Sequence, residues 1–307
     1  MTKAKICTKN LIISILTCLE FKKKTCAIYI YIYINKLIRL LFRYDFIFQI
    51  FQPLIYFSEN LKHQKIWTDR RALDIYIKLN ILKTPVVRNG IFKGMQYPDF
   101  LAAGSAIYPK FIGSYERELT PIFEQIINEK YDLIIDVGCA EGYYAVGLAM
   151  LMPDAKVIAY DTDPRARDLC KRIAILNNVA KSISIKGTLT AEELGTIDIT
   201  SKKTLIISDC EGYEKQLFTT NNIQHLKNCD VLIETHDLFD LSISPYLINL
   251  FKQTHQSPII IASLDDIKKA QTYEYNETKN LDLYFKKMVF GESRKAIMEW
   301  MFFKPKL

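Results

Sequence analysis

Short apolar runs alternate with amphipathic segments from residue 130 onward. The runs are rich in Ile, Leu and Val, as in buried strands, and the segments between them have helical periodicity. The predicted strands are Leu133–Val137, Lys156–Asp161, Ser182–Lys186, Thr204–Asp209, Asp230–Thr235, Pro258–Ala262 and Met298–Phe303. The predicted helices are Tyr143–Met152, Pro164–Asn178, Tyr213–Thr220 and Pro245–Gln253. This alternation predicts an α/β fold with a doubly wound, mostly parallel seven-stranded sheet covered by helices on both faces.

The pattern is less regular between residues 61 and 130. Residues 67–82 have helical periodicity, and strand-like residues on both sides of Asn89-Gly90 predict a hairpin within 86–98. Residues 109–130 predict a loop followed by an amphipathic helix. We therefore divide the chain into an N-terminal extension (1–60), a helix and hairpin cap (61–110) and the α/β domain (111–307).

The first 60 residues have an unusual composition. The apolar runs 11–19 and 26–34 are shorter than the roughly 18–20 residues of a spanning helix, and no clear signal-peptide cleavage site follows them. Two interpretations of 1–35 stay open, a translated AT-rich repeat and a weak membrane-surface anchor. Residues 36–57 are basic at one end and apolar-aromatic throughout, which is typical of an interfacial helix; packing on the main domain is the alternative.

The charge and the cysteine content indicate which partners and which cellular compartment to expect for this protein. The net charge is +7, but residues 1–43 contain nine Lys or Arg and one acid, so the remainder is close to neutral. The main domain therefore gives no reason to expect a nucleic-acid partner. The seven cysteines include no C-x-x-C pair, which favours a reducing, cytoplasmic location over a disulfide framework or a zinc site.

A glycine loop follows the first predicted strand. Its pattern is Asp136-x-Gly138-x-x-x-Gly142, whereas the dinucleotide fingerprint G-x-G-x-x-G would need glycine at Ala140 and Tyr143. Tyr143 would obstruct the close helix–strand packing that the third glycine permits, which argues against an NAD-dependent enzyme. The loop instead resembles motif I of the seven-stranded, class I S-adenosylmethionine-dependent methyltransferases.

In that group the loop backbone passes under the methionine part of the cofactor, and the acid before it holds the loop in place. The residues predicted to form this part of the site are Asp136, Gly138, Cys139, Ala140, Gly142 and Tyr143. The helix start after the loop favours a negative charge such as the methionine carboxylate.

The second predicted strand supplies an independent signal, since it ends in Asp161. A carboxylate there can accept both ribose hydroxyl hydrogens, and Asp163 would face the adenosine. Together the two motifs predict S-adenosylmethionine as the cofactor. The alternative is another doubly wound domain whose turn acids only cap helices.

The ends of the fourth and fifth strands carry candidate catalytic groups. Asp209 and Glu211 are two residues apart, as are Glu234 and His236, so an extended backbone would direct each pair to one side. The proline pair of N/D-P-P-Y/F, common in amino-group methyltransferases, is missing at residues 208–211.

Three carboxylates and an imidazole in one cleft suit methyl transfer to oxygen, because a hydroxyl must lose its proton to become a good nucleophile. We expect His236 or Asp209 to be the base. A divalent metal held by Asp209, Glu234 and His236 is compatible with this chemistry but is not required by the spacing. The competing interpretations are that Glu211 and Glu214 favour a helix start through its dipole and that His236-Asp237 is a turn.

Three stretches, DVGCAEGYYAVGLA, SDCEGYEKQLF and VLIETHD, resemble the FkbM-type methyltransferases. The resemblance covers roughly residues 110–305 and implies methylation of hydroxyls on sugars or natural products. The family's D-x-E-G-x-E and E-x-H marks are matched by Asp209, Glu211, Gly212, Glu214, Glu234 and His236. It also implies that Tyr115 of the G-S-Y-E segment approaches the cofactor. Glu141 replaces the family's usual Asn, and Glu292 or Arg294 is expected over the substrate.

These observations predict an S-adenosylmethionine-dependent O-methyltransferase acting on a sugar, a glycolipid or a natural product. A non-catalytic, cofactor-binding subunit or scaffold of a glycan-modifying pathway is the alternative. A peripheral membrane contact through residues 36–57 would add membrane association to the cytoplasmic location.

Overall fold

The computed structural model describes residues 52–54, 56–61, 64–65, 68, 71, 74, 77, 82–199 and 201–306. The predictions for 1–35, and those for most of 36–57 and 67–82, lie outside these residues. The chain divides into two compact units, Met1–Ala72 and Leu73–Leu307. In the first unit, residues 52–54 and 56–61 are helical. Among the described residues, no helix combines the length and the apolar content needed to cross a membrane.

The second unit alternates helices and strands. The helices are α1 (Ile107–Ile112), α2 (Thr120–Glu129), α3 (Tyr143–Leu151), α4 (Pro164–Leu176), α5 (Ala191–Leu194), α6 (Glu214–Leu217), α7 (Ile243–Phe251), α8 (Asp266–Thr272) and α9 (Leu283–Phe290). The strands are β1 (Leu133–Val137), β2 (Lys156–Tyr160), β3 (Ile183–Lys186), β4 (Thr204–Ser208), β5 (Asp230–Thr235), β6 (Ile259–Ala262) and β7 (Glu299–Phe303). Short 3₁₀ turns occupy Arg117–Leu119 and Asn276–Thr278.

The strands form one seven-stranded sheet in the order β3-β2-β1-β4-β5-β7-β6. Strands β1 to β5 pair in parallel, whereas β7 runs antiparallel to both of its neighbours, β5 and β6. The dinucleotide-binding order 3-2-1-4-5-6 contains no such inserted strand. The predicted fold class is confirmed: this is the mostly parallel, Rossmann-like sheet of the class I methyltransferases.

Alternate residues of the central strands point to opposite faces of the sheet, and each face has its own apolar core. In β1, Ile134 belongs to the core beneath α3, and Ile135 belongs to the core beneath α7. The carboxyl ends of the parallel strands all meet at one edge. The strand order reverses between β1 and β4, so that edge contains the crevice where such sheets bind ligands.

Predicted helix Tyr213–Thr220 is wrong in length, because α6 spans only Glu214–Leu217. The Asn222 side chain donates to the Leu217 carbonyl at 2.8 Å and accepts the Thr219 N–H at 3.0 Å. These bonds satisfy backbone groups at the end of the helix and stop it after one turn.

Helices α8 and α9 were not predicted. Both lie between the sixth and seventh strands, and α8 is largely polar, so periodicity does not reveal it. Each nevertheless begins after an aspartate N-cap. Asp265 accepts the N–H groups of Ile267 and Lys268, and Asp282 accepts that of Phe285.

The segment 86–98 does pair with itself in antiparallel fashion, but Asn89-Gly90 is not the two-residue turn that was predicted. One antiparallel bridge, Val86–Gln96, closes a wide loop instead of a two-residue turn. A Cβ on Gly90 would lie 2.6 Å from the carbonyl oxygen of Gly113, so this glycine permits a close backbone crossing. The loop then places the Phe92 ring against α3, edge-to-face with Tyr143 at 5.0 Å.

Candidate active site

A cavity of about 810 Å³ opens at the carboxyl ends of β1, β2, β4 and β5. Its size is in the range of small-molecule and cofactor pockets. Most of the predicted site residues line it: Tyr115, Gly138, Cys139, Ala140, Tyr143, Asp161, Asp163, Asp209, Glu211, Glu234 and His236. Asp136 and Gly142 are the two that do not.

Gly138 lets the loop after β1 approach the end of β4. Its φ is +79°, and a Cβ there would lie 1.7 Å from the carbonyl oxygen of Asp209. The N–H groups of Gly138 and Cys139 both donate to the Tyr160 carbonyl, which ties the loop to β2 as well. The loop is therefore held against both neighbouring strand ends by its backbone.

Gly142 supports the loop from behind. It is the N-cap of α3 with a φ of +89°, and a Cβ there would meet the Cys170 sulfur at 2.6 Å. Gly142 thus allows close packing of α3 on α4 and does not face the cavity.

Substitution of Gly138 by alanine should destabilise the protein by about 2–5 kcal/mol. The left-handed backbone costs a Cβ-bearing residue about 1–2 kcal/mol, and the overlap with Asp209 adds about 1–3 kcal/mol. Urea unfolding would measure the change. Gly187→Ala is the matched control, since Gly187 lines the same cavity and a Cβ there has no atom within 4 Å. Equal stability of the two variants would contradict this account of the loop.

Asp136 is buried directly behind the loop. Burial raises the pKa of its carboxyl to about 7, although the Ala145 N–H in the first turn of α3 donates to it and opposes this rise. Its Oδ2 has no hydrogen-bond partner among the described residues. Asp136 is therefore placed to hold the loop and α3 together, with one acceptor oxygen that no described residue satisfies.

Asp161 joins the two cofactor-type motifs. Its Oδ2 accepts the Ala140 N–H at 2.8 Å, and its Oδ1 accepts the Asp163 N–H at 2.7 Å. A carboxylate has about four acceptor positions, so each oxygen keeps one for a ligand hydroxyl.

Asp163 has a different environment. Its carboxylate caps α4 through the Arg165 N–H at 2.8 Å and also binds the Arg165 side chain at 3.0 Å. The interpretation that turn acids cap helices therefore describes Asp163. A contact between Asp163 and adenosine stays a prediction.

His236 lies at the centre of the acidic strand ends. Its Nδ1 is 2.5 Å from Oε1 of Glu214, and both side chains are buried. Its Nε2 is 3.4–3.7 Å from carboxylate oxygens on the two strand ends, those of Asp209, Glu211 and Glu234. The structure thus brings together all four predicted catalytic residues.

Glu214 is the partner that sequence reasoning missed, since its place at a helix start offered a sufficient explanation. The expectation of an extended backbone was also wrong for Glu211, whose φ is +52°. Its side chain reaches His236 from a left-handed turn. Ala140 and Ser293, which also line the cavity, have φ values of +48° and +58°. Such strained positions concentrate at functional sites.

The protonation of this cluster follows from burial and crowding. Burial lowers the pKa of His236, but hydrogen bonding to Glu214 and the nearby charges of Glu234 and Glu211 raise it by more, so the net shift is upward. Burial also raises the pKa of Asp209 to about 7 and that of Glu234 to about 8. At neutral pH these groups therefore share protons.

Arg294 connects three chain segments at the cavity. Its guanidinium bonds to Glu234 on β5, to Glu116 after α1 and, at 2.8 Å, to Glu292. The Nζ of buried Lys269 lies 2.5 Å from Glu292 on the other side. Both Glu292 and Arg294 line the cavity, and a position of either over a substrate stays a prediction. Glu116 is the last residue of the G-S-Y-E segment, of which only Tyr115 was expected at the site.

Lys110 on α1 was also missed, because a single lysine in an amphipathic segment carries no signal. Its Nζ lies 2.5 Å from Oε1 of Glu141, and the two side chains are 2% and 0% exposed. Oε2 of Glu141 accepts the Ala103 N–H at 3.0 Å. Glu141, which replaces the family's usual Asn, therefore faces α1 and does not border the cavity.

The donors of Asp209, Glu234 and His236 could also surround a cation, since one ligand atom from each lies within 4.8 Å of the others. Two carboxylate oxygens and an imidazole nitrogen suit a divalent metal. Arg294 already balances part of the charge of Glu234. A metal at this position stays a prediction.

Comparison with known proteins found no matching family model and no matching curated protein. Solved structures do match. The O-methyltransferase TomG from Streptomyces achromogenes, in complex with SAM, is 10% identical over 67% of this chain and 83% of its own, with a TM-score of 0.40. A SAM-dependent O-methyltransferase from Thermotoga maritima is 13% identical over 61% and 64%, with a TM-score of 0.41. Precorrin-6y C5,15-methyltransferase from Geobacter metallireducens is 11% identical over 60% and 87%, with a TM-score of 0.38. At these identities the likeness concerns the fold alone.

Proposed function

We propose that this chain is an S-adenosylmethionine-dependent methyltransferase that methylates a hydroxyl group. The observation that carries the proposal is the buried Glu214–His236 pair, because His236 lines the same cavity as the glycine loop and Asp161. Acid–base chemistry and a nucleotide-type turn thereby share one site.

The residues fit the cofactor in three ways. The glycine loop lines the cavity from Gly138 to Ala140, Asp161 keeps acceptor positions for ribose hydroxyls, and the start of α3 favours a carboxylate. Tyr143 occupies the position of the third dinucleotide glycine, which disfavours NAD. When bound, S-adenosylmethionine supplies an electrophilic methyl group.

His236 acts as the general base. The Glu214 carboxylate accepts a hydrogen bond from Nδ1–H, which fixes the tautomer and leaves Nε2 to take the proton of an acceptor hydroxyl. The carboxylates of Asp209 and Glu234 beside Nε2 then stabilise the imidazolium that forms.

The charge of the cleft limits the acceptor. Even with protons shared between Asp209 and Glu234, the acidic groups around Nε2 leave negative charge next to His236, so a neutral hydroxyl compound is favoured over a phosphorylated one. Phe239, 62% exposed, stacks on His236 with ring centroids 6.0 Å apart and offers an apolar face for a sugar ring or natural product. The FkbM resemblance supports this acceptor class.

Calorimetric titration of the full chain with S-adenosylmethionine, S-adenosylhomocysteine and NAD tests the proposal. We expect micromolar binding of the two sulfur compounds only. Asp161→Ala should weaken this binding about 10- to 100-fold, because it removes charged hydrogen-bond acceptors. Absence of binding to a folded protein, or a preference for NAD, would overturn the proposal. Binding by the wild type without turnover of any acceptor would favour the scaffold alternative.

A further inference from the structure

Lys110 is a buried cation in the cavity that the proposed reaction does not use. Its side chain is 2% exposed, yet it borders the cavity beside the first residue of α3, Tyr143. Lysine is seldom buried to this degree, and when it is, a paired charge normally accompanies it.

The partners of Lys110 hold its ammonium group in place. Nζ donates to Glu141 at 2.5 Å and to the Ser105 hydroxyl at 2.7 Å. These acceptors use two of its three N–H groups. The rings of Tyr115 and Tyr143, two residues that line the cavity, have their centroids 4.7 Å and 5.2 Å from Nζ.

Lys110 and Glu141 have different relations to the cavity. Glu141 is fully buried and does not line it, whereas Lys110 and Ser105 do. The pair therefore presents its cationic member to a ligand. The other Lys or Arg residues among the described lining are Arg294, which is paired with three carboxylates, and the exposed Lys295.

We infer that Lys110, Ser105 and the first turn of α3 form a carboxylate-binding subsite for the amino-acid end of the cofactor. This inference rests on the proposed function. Glu141 fixes the lysine, the third N–H of Lys110 binds a ligand carboxylate, and the positive end of the α3 dipole adds to the attraction. Lys110 is thus a cofactor-binding residue, and Glu141 is a positioning residue.

The test compares S-adenosylmethionine with decarboxylated S-adenosylmethionine, which keeps the sulfonium and the amine but lacks the carboxylate. For the wild type, we expect loss of the carboxylate to weaken binding about 10- to 100-fold, as for a charge-assisted hydrogen bond. Lys110→Met should weaken binding of S-adenosylmethionine by a similar factor and leave the decarboxylated compound nearly unchanged. Equal losses for both compounds, or equal wild-type affinities, would overturn the inference.

Lys110→Met leaves the buried Glu141 carboxylate without a paired cation and could unfold the protein. The double variant Lys110→Met with Glu141→Gln removes both charges and should show the same selective loss. Lys295→Met removes an exposed lysine at the same cavity and should bind both compounds like the wild type; an equal selective loss there would mean that overall charge, not this subsite, recognises the carboxylate. If the wild type binds S-adenosylmethionine but lacks this selectivity, only the inference fails. If it binds neither compound, the proposed function fails too.

Discussion

Replacement of His236 by alanine is expected to lower the turnover number for methyl transfer by about 10²- to 10⁴-fold, the usual contribution of a positioned general base. The imidazole is the group whose Nε2 faces the cavity while its Nδ1 is held 2.5 Å from Glu214. Affinity for S-adenosylhomocysteine should stay close to that of the wild type, because His236 lies at the β4 and β5 ends and not on the glycine loop. The turnover number is measured from the formation of S-adenosylhomocysteine with neutral sugar or alcohol acceptors. The affinity for S-adenosylhomocysteine is measured by calorimetry.

His225 offers a matched control. It is half-buried, its Nε2 bonds to the Ile197 carbonyl at 2.8 Å, and it does not line the cavity. His225→Ala should therefore keep full turnover. Unchanged turnover in the His236 variant would remove the imidazole from the reaction and leave Asp209 as the candidate base.

Glu214→Gln is the second substitution with a large expected effect, a fall in turnover of about 10²- to 10⁴-fold. The amide keeps the shape of the side chain, but it can donate to Nδ1 as well as accept from it, so it no longer selects one tautomer, and it has no charge to stabilise the imidazolium. A base acts in its neutral form, so the rate falls as the pH drops below the pKa of His236. Since Glu214 raises that pKa, its loss should move the acidic limb of the pH–rate profile to lower pH.

The pH–rate profile separates this role from a structural one. A variant that only destabilises the fold would have a lower turnover number, but the acidic limb of its pH–rate profile would stay at the same pH. Glu274→Gln, an exposed substitution of the same kind outside the cavity, should leave both the rate and the limb in place. Movement of the limb to higher pH in Glu214→Gln would contradict the assigned pairing.

The sequence predicted the sheet and the convergence of strand ends well, because both follow from local patterns. Buried parallel strands are continuous apolar runs, and their carboxyl ends meet at one edge by topology. Gly138, Asp161 and His236 each follow such a run directly. It was therefore possible to predict that these three residues lie at one edge of the sheet without knowing any contact between distant segments.

Other features depended on contacts between segments far apart in sequence. The dipeptide Asn89-Gly90 is typical of a tight turn. In the structure its backbone instead packs closely against the backbone of Gly113. The role of Lys110 becomes visible only through its ion pair with Glu141. That of Glu116 depends likewise on Arg294, which is 178 residues away. Charged side chains with distant partners cannot be recognised from a single sequence, because only the folded structure shows which residues lie next to each other.

The insertion of β7 between β5 and β6 has a consequence for synthesis of the protein. Strand β5 leaves the ribosome with an open edge, and β6 pairs in the finished sheet only with β7, which is made after both. Until residues 299–303 emerge, two apolar strands lack their partner, and exposed edges of this kind promote association between nascent chains. We therefore expect dependence on chaperones to be greatest between the emergence of β6 and that of residues 299–303. A chain truncated before Glu299 would lose two strands from the sheet.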